Sequence, residues 1–267
     1  MKMIVPSMKI LFVCALIACA VGFKKFVWFM SVGYGLAVCV IGCALLVIYR
    51  SSLTVITGIM CVLMIIYGAR LGLFLLFREL KNEAYRKTLD KVAKTDKPVP
   101  IFVKVAMWIT MSILYVMQTS SVTYRLANGA QNNLFAYIGA AVMLIGICME
   151  ALSDKQKSAA KKINPKRFCD TGLFKIVRCP NYFGEILFWT GVLISGIGAM
   201  KGAQYVIAIL GWLMIFYIMV AGSRRLELRQ NKSYGDDPEY QAYVKKVPLI
   251  FPFVPIYSLA KYEWLKG

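Results

Sequence analysis

Asn181 and Glu185 stand four residues apart, directly after Pro180, where a basic polar segment gives way to a long apolar run. Proline suits the first turn of a helix because its missing N–H costs nothing there, so a helix is expected to open at Pro180. Residues four apart on that helix share a face, and an amide and a carboxylate then enter the membrane edge side by side. A carboxylate in such a place is expensive and is a functional-site candidate by default. The plainer alternative is an interfacial carboxylate paired with Arg178.

Two other stretches carry groups that could do chemistry. Tyr67 and Arg70 are three apart, share a helix face, and lie near the end of an apolar span. The chain contains no histidine, which removes the usual acid–base of neutral pH and leaves a phenol as a donor for a carbonyl. Arg70 has a bland alternative, a side chain that snorkels to the interface. Glu150, Asp154, Lys157 and Lys161 recur at i, i+4, i+7 and i+11, one polar stripe running out of an apolar helix. It either pairs its own charges or meets a ligand. Gln118, Thr119, Ser120 and Ser121 read as groups that hydrogen-bond between helices.

The elements that must position these groups are membrane spans. The chain is 59% hydrophobic, above the usual soluble composition, and its long apolar runs follow one another with short breaks. We expect an all-α, polytopic membrane protein forming a single domain over 1–267. Seven spans fall at about 8–23, 26–49, 53–77, 101–122, 133–152, 181–200 and 203–221, followed by a polar tail, 222–267. The net charge of +19 comes from Lys and Arg crowded into 78–104, 153–180 and 222–267, eight in each. The intervening loops hold one or two, so the N-terminus is expected outside and the C-terminus in the cytoplasm. That asymmetry also argues against reading Leu16-Ile-Ala-Cys19 as a signal-peptide cleavage box. The segment from Arg78 towards Pro98 is expected to be an amphipathic cytoplasmic helix. No nucleic-acid partner is expected, because basic loops or an anionic ligand account for the charge. The eight cysteines include no C-x-x-C pair, so no metal site is expected.

The run Thr171-Gly-Leu-Phe-Lys-Ile-Val-Arg-Cys-Pro-Asn-Tyr-Phe-Gly-Glu185 closely resembles the signature of the steroid 5α-reductase-like membrane reductases, which include the sterol C14 and Δ7 reductases and a bacterial branch. More distantly it resembles the isoprenylcysteine methyltransferases, with their Arg-His-Pro-x-Tyr variant. Three further pieces match in order: Tyr67-x-x-Arg70, Glu150-x-x-x-Asp154-x-Gln156, and the tail Tyr234-Gly, Tyr240, Val247-Pro248 and Ile250-x-Pro252. In the steroid reductases the tyrosine is paired with a glutamate on the preceding span, and spans one and two here hold no carboxylate.

The resemblance implies reduction of a carbon–carbon double bond conjugated to a carbonyl, in a steroid-like or other lipid substrate. It assigns Tyr67 and Arg70 to the substrate side. Glu150, Asp154, Lys161, Lys166, Arg178, Asn181, Tyr182, Glu185, Arg224, Tyr234 and Tyr240 go to the cofactor. No side chain donates hydride, so a nicotinamide is required. The many basic residues favour NADPH, and no glycine-rich dinucleotide fingerprint follows a strand. Asn181 and Glu185 are implied to hold the nicotinamide amide. A monomer in the bacterial inner membrane or endoplasmic reticulum, in contact with membrane lipids, is expected. The rival readings are an S-adenosylmethionine-dependent methyltransferase, against which Cys179 stands where those enzymes carry histidine, and a non-catalytic lipid-binding relative.

Overall fold

The computed structural model describes residues 3–81 and 99–265, and among them the regular structure is helical, with no strand. Among the described residues six helices are long and apolar enough to cross a membrane: Pro6–Phe23, Phe26–Ile48, Val55–Phe77, Ile101–Gln118, Leu134–Ile163 and Ala203–Tyr234. This is the make-up of a multi-pass membrane protein. In detail the helices are α1 (Pro6–Cys19), α2 (Val32–Ile48), α3 (Val55–Lys81), α4 (Ile101–Gln118), α5 (Ser120–Ala127), α6 (Leu134–Ile163), α7 (Pro180–Ser195), α8 (Ala203–Tyr234) and α9 (Pro238–Lys246). The expected amphipathic helix after Arg78 lies, beyond Lys81, outside the described residues.

Four expected boundaries shift. The segment expected to span at 181–200 forms α7, a helix of 16 residues, roughly 24 Å long; Gly196 and Gly198 follow its end, the latter at φ +76°. The span expected over 101–122 stops at Gln118. There Thr119 Oγ1 donates to Tyr115 O at 2.9 Å and Thr123 Oγ1 donates to Thr119 O at 3.1 Å, and such back-bonding competes with the helical ladder and bends it. Finally, α6 and α8 continue past their apolar parts into polar extensions reaching Ile163 and Tyr234.

The chain divides into two compact units, one of residues 1–140 and 192–212, the other of 141–191 and 213–267. In the first, α2 and α3 cross with their backbones in contact. A Cβ on Gly35 would lie 2.6 Å from Gly68 O and 2.7 Å from Gly72 Cα. Gly68 and Gly72 form a small-x-x-x-small pair, the usual device for close approach of helices in lipid. Elsewhere in this unit Glu79 is buried, with Lys25 Nζ at 2.6 Å and Trp28 Nε1 at 2.8 Å on its two oxygens. Arg125, also buried, donates to Ser195 O at 2.6 Å, Gln131 O at 2.9 Å and Asn133 Oδ1 at 2.8 Å. The carbonyl of Ser195, freed where α7 ends, is thereby satisfied.

In the second unit α6 and α7 make a similar close crossing. A Cβ on Gly146 would fall 2.6 Å from Phe188 N and 2.7 Å from Gly184 O. Gly184 in turn has Glu150 Cγ 2.9 Å from where its own Cβ would be. Two glycines thus let the acidic end of the α6 stripe lie directly on the first turns of α7.

Candidate functional site

In the second unit the signature segment is built from its own local rules. Thr171 is extended, Gly172 takes φ +60°, and a short 3₁₀ turn, Gly172–Lys175, follows. The left-handed glycine is required twice over, because a Cβ there would also fall 2.5 Å from the amide of Gln156. That amide is engaged: Leu173 N–H donates to Gln156 Oε1 at 2.9 Å. Arg178 and Cys179 follow outside any helix, their N–H groups donating to Pro248 O and Leu249 O at 2.9 Å each. Pro180 opens α7 as its sequence predicts.

Three of the four stretches singled out in the sequence therefore meet in one unit. The Glu150–Gln156 stripe touches the signature through Gln156 and Gly184. The tail touches it through Pro248 and Leu249, and again where Tyr243 Oη donates to Phe174 O at 2.7 Å. The fourth, Tyr67 with Arg70, belongs to the first unit.

Glu150 and Glu185 are both buried, Asp154, Asn181 and Tyr182 half-buried. The Tyr182 ring lies 3.5 Å from the Cβ position of Gly222 on α8 and packs on the apolar cluster of Cys179, Leu226, Leu249, Leu259 and Leu265. Arg178 is 2% exposed. Its Nη2 lies 3.3 Å from Glu227 Oε1 and also donates to Tyr257 O, while Nε and Nη1 have no hydrogen-bond partner among the described residues. Glu227 uses its other oxygen to accept from Leu259 N at 2.8 Å. Arg224 reaches Ala260 O at 3.2 Å and Leu265 O at 3.5 Å, so both arginines hold the tail.

The expected basic residues are partly committed to the fold. Lys161 Nζ donates to Pro165 O, Arg167 O and Tyr234 Oη at 3.0, 2.6 and 2.8 Å, which ties the end of α6 to the end of α8. Arg167 pairs with Asp170 at 2.8 Å and with Glu239, an exposed network that holds its guanidinium above its ordinary range. Lys162, Lys166, Arg225 and Arg229 are exposed. Tyr234 and Tyr240 ring Phe168 at 6.0 and 5.2 Å between centroids, and Tyr240 Oη donates to Asn231 Oδ1 at 2.8 Å. Burial pushes the thiol of Cys179 up to about 12, leaving it neutral at physiological pH.

In the first unit Tyr67 is buried, and its hydroxyl lies 2.9 Å from that of Tyr34. Tyr34 stacks on Tyr115, centroids 4.9 Å apart, and Tyr115 Oη donates to Phe29 O at 2.7 Å. Arg70 is half-buried. Tyr34 reads from sequence as part of an apolar wall. Its signal was available, since it is the one phenol within α2 and the Gly68/Gly72 pair beside Tyr67 marks where α2 must come close. Glu227 and Tyr243 carried no signal, because their partners are main-chain or distant groups. A cavity of about 680 Å³ in the second unit is lined by Val220 and the segment 255–265 without Glu263. An apolar groove of about 350 Å³ in the first unit is lined by residues including Met8, Phe12, Ile113, Met117 and Ile207. None of the expected site residues lines either.

No curated protein and no solved structure matches the chain. One family does match, over residues 17–247. The chain belongs to the family described as "Protein of unknown function (DUF1295)".

Proposed function

We propose that this protein is an NADPH-dependent membrane reductase that saturates a carbon–carbon double bond conjugated to a carbonyl, in a steroid-like or other lipid substrate. The observation that carries the reading is the meeting of the Glu150–Gln156 stripe, the 171–185 signature and the 247–252 tail along residues 172–184. These are the stretches that resemble the 5α-reductase-like enzymes.

The residues present fit a dinucleotide. Two guanidinium nitrogens of the buried Arg178 and the Nε of Arg224 lack hydrogen-bond partners among the described residues, and an anion suits such donors. Lys162, Lys166, Arg225 and Arg229 add exposed positive charge for phosphates, and the start of α7 adds the positive end of a helix. NADPH, when bound, supplies the hydride. Asn181 and Glu185 orient the nicotinamide through its amide, a contribution that can reach several kcal/mol. Glu150 and Asp154 extend that polar surface, with Lys161, Tyr182, Tyr234 and Tyr240 holding its walls. On the substrate side Tyr67, its hydroxyl positioned by Tyr34, donates to the carbonyl oxygen and stabilises the enolate charge, with Arg70 one turn further along the same face. In this reading α7 is a seventh span, the N-terminus lies outside, the C-terminus lies in the cytoplasm, and the protein works as a monomer.

Thermal unfolding in detergent tests the reading. NADPH raises the melting temperature of the wild-type protein, S-adenosylmethionine does not, and Asn181→Ala and Glu185→Ala lose the NADPH effect while remaining folded. A shift with S-adenosylmethionine alone, or unchanged NADPH binding in both variants, overturns it.

A further inference from the structure

Turns in water usually place glycine or a polar residue at the tip. The loop between Leu249 and Ile256 does the reverse. Its base is closed by Leu249 N–H donating to Ile256 O at 2.8 Å, and it is pinned to the signature segment through the carbonyls of Pro248 and Leu249, which accept from Arg178 and Cys179 N–H. Its tip reads Phe251-Pro-Phe-Val-Pro255. Phe253 is 94% exposed and Val254 is exposed beside it. Phe253 is also the one non-glycine residue with positive φ among the described residues, at +64°, a conformation unfavourable for a bulky side chain. In water, the tip carries an unfavourable backbone only to expose an aromatic ring.

The root of the loop shows what surrounds it. Phe251 stacks on Phe216 of α8, centroids 5.8 Å apart and rings 19° from parallel, and meets the edge of Phe183 in α7 at 6.1 Å. Phe216 belongs to the apolar part of α8, five residues before Ala221, the last residue ahead of the polar extension. At the helical rise that is roughly 7–8 Å inside the apolar stretch. The loop therefore folds back to the depth of the membrane-spanning part of α8 rather than out along its polar end. Beyond it Tyr257, Tyr262 and Trp264 are exposed, and Lys261 Nζ sits 5.2 Å over the Tyr262 ring. Aromatic rings with a lysine are the composition of a membrane–water interface.

We propose that the Phe251–Pro255 loop inserts into the bilayer as an anchor, with Phe253 and Val254 among the acyl chains and Tyr257, Lys261, Tyr262 and Trp264 at the headgroups. The bilayer covers the tip, and the cost of the backbone turn is offset by ring burial in lipid. The anchor holds the tail that Arg178 and Arg224 also grip, and it depends on the membrane-spanning helices, not on the reductase reading.

Full-length Phe253→Trp protein, reconstituted into phosphatidylcholine liposomes, tests this against wild type. The extra tryptophan emission is expected to be blue-shifted, quenched at least twofold when the acyl chains carry bromine, and almost insensitive to iodide in the water. Quenching by iodide with no effect of bromine places the tip in water and overturns the proposal; so does insensitivity to both quenchers, which means protein covers the tip. As an independent arm, Phe253→Gly removes both the ring and the backbone cost. In detergent it melts no lower than wild type. A lower melting temperature, or conversion of a dimer to a monomer, assigns the ring to a protein contact and likewise overturns the proposal.

Discussion

The hydroxyls of Tyr34 and Tyr67 meet at 2.9 Å where α2 crosses α3. Spans one and two hold no carboxylate, so the partner of Tyr67 on the neighbouring helix is a phenol. A phenol can either donate or accept, which lets one hydroxyl of the pair keep its proton for a third oxygen. Each of Tyr34→Phe and Tyr67→Phe removes one buried hydrogen bond and costs about 1–2 kcal/mol. The double variant costs less than the sum, by about 1 kcal/mol, because the two share one interaction. A double-mutant cycle from chemical denaturation in detergent checks this, and strict additivity would mean that the pair is a coincidence of packing. If the reductase reading holds, Tyr67→Phe also lowers kcat at least tenfold and Tyr34→Phe lowers it less.

That pairing depends on backbone contact. A methyl group on Gly35 would be 2.6 Å from Gly68 O, and backbone cannot move aside as a flexible side chain can. Gly35→Ala should therefore force the helices apart and cost about 1–3 kcal/mol. Gly58, on the same helix as Gly68, meets nothing within 4 Å of its Cβ position, so Gly58→Ala should be neutral or slightly stabilising. Melting temperatures of the two variants, measured in one detergent, give the comparison. Equal effects would refute the close crossing.

The apolar runs made six of the spans legible, because a helix in lipid must be long and continuously apolar and few other sequences are. The limits of that reasoning fall at particular residues. Thr119 and Thr123 turn their hydroxyls back on the backbone and end α4 early, a local competition that hydropathy does not register. Gln156 was legible as part of a motif, but its partner, the N–H of Leu173, was not, since main-chain donors leave no mark in a sequence. Lys161 and Tyr234, read singly as cofactor ligands, turn out to bond each other at 2.8 Å; two lone polar residues 73 positions apart carry no sign that they meet. The glycines are the informative exception. Gly68, Gly72, Gly146 and Gly184 sit where backbones touch, one residue from Tyr67 in one case and from Glu185 in another.

Gln156 gives the third prediction. Its Oε1 is the acceptor for Leu173, and its amide fills the space that a side chain at Gly172 would need. Gln156→Ala leaves a main-chain N–H short of its acceptor and costs about 1–2 kcal/mol. Gln156→Glu keeps an acceptor oxygen at the same reach and should recover most of that loss. Thermal unfolding of the two variants separates hydrogen bonding from side-chain volume. A glutamate as damaging as alanine would count against the assignment.

Arg178 and Glu227 form a pair that is almost wholly buried, side chains 1% and 3% exposed. Two charges out of water add little net stability, but removing one strands the other, at roughly 3–5 kcal/mol. Glu227→Gln keeps shape and the acceptor for Leu259 N while losing the charge, so it should be milder than Glu227→Leu. Arg178→Met with Glu227→Leu should be less destabilised than either of those single changes. Denaturation midpoints rank the variants. The double variant should still lose any NADPH-induced stabilisation, because Arg178 Nε and Nη1 go with the side chain.

Cys179 provides a pH test. Burial raises its thiol to about 12, against about 8.5 in an unfolded chain. A folded pKa raised in this way means that the fold favours the protonated form. Its stabilising contribution is complete below about pH 8.5 and is lost as pH climbs towards about 12. The native protein should accordingly leave Cys179 unmodified by iodoacetamide at pH 8, with alkylation appearing as the pH passes 10 or on unfolding at pH 8. Mass spectrometry of the peptide containing Cys179 gives the readout. Ready alkylation of the folded protein at pH 8 would indicate an accessible thiolate. It would also revive an acid–base role at the position where methyltransferases carry histidine, a role that a buried neutral thiol cannot fill.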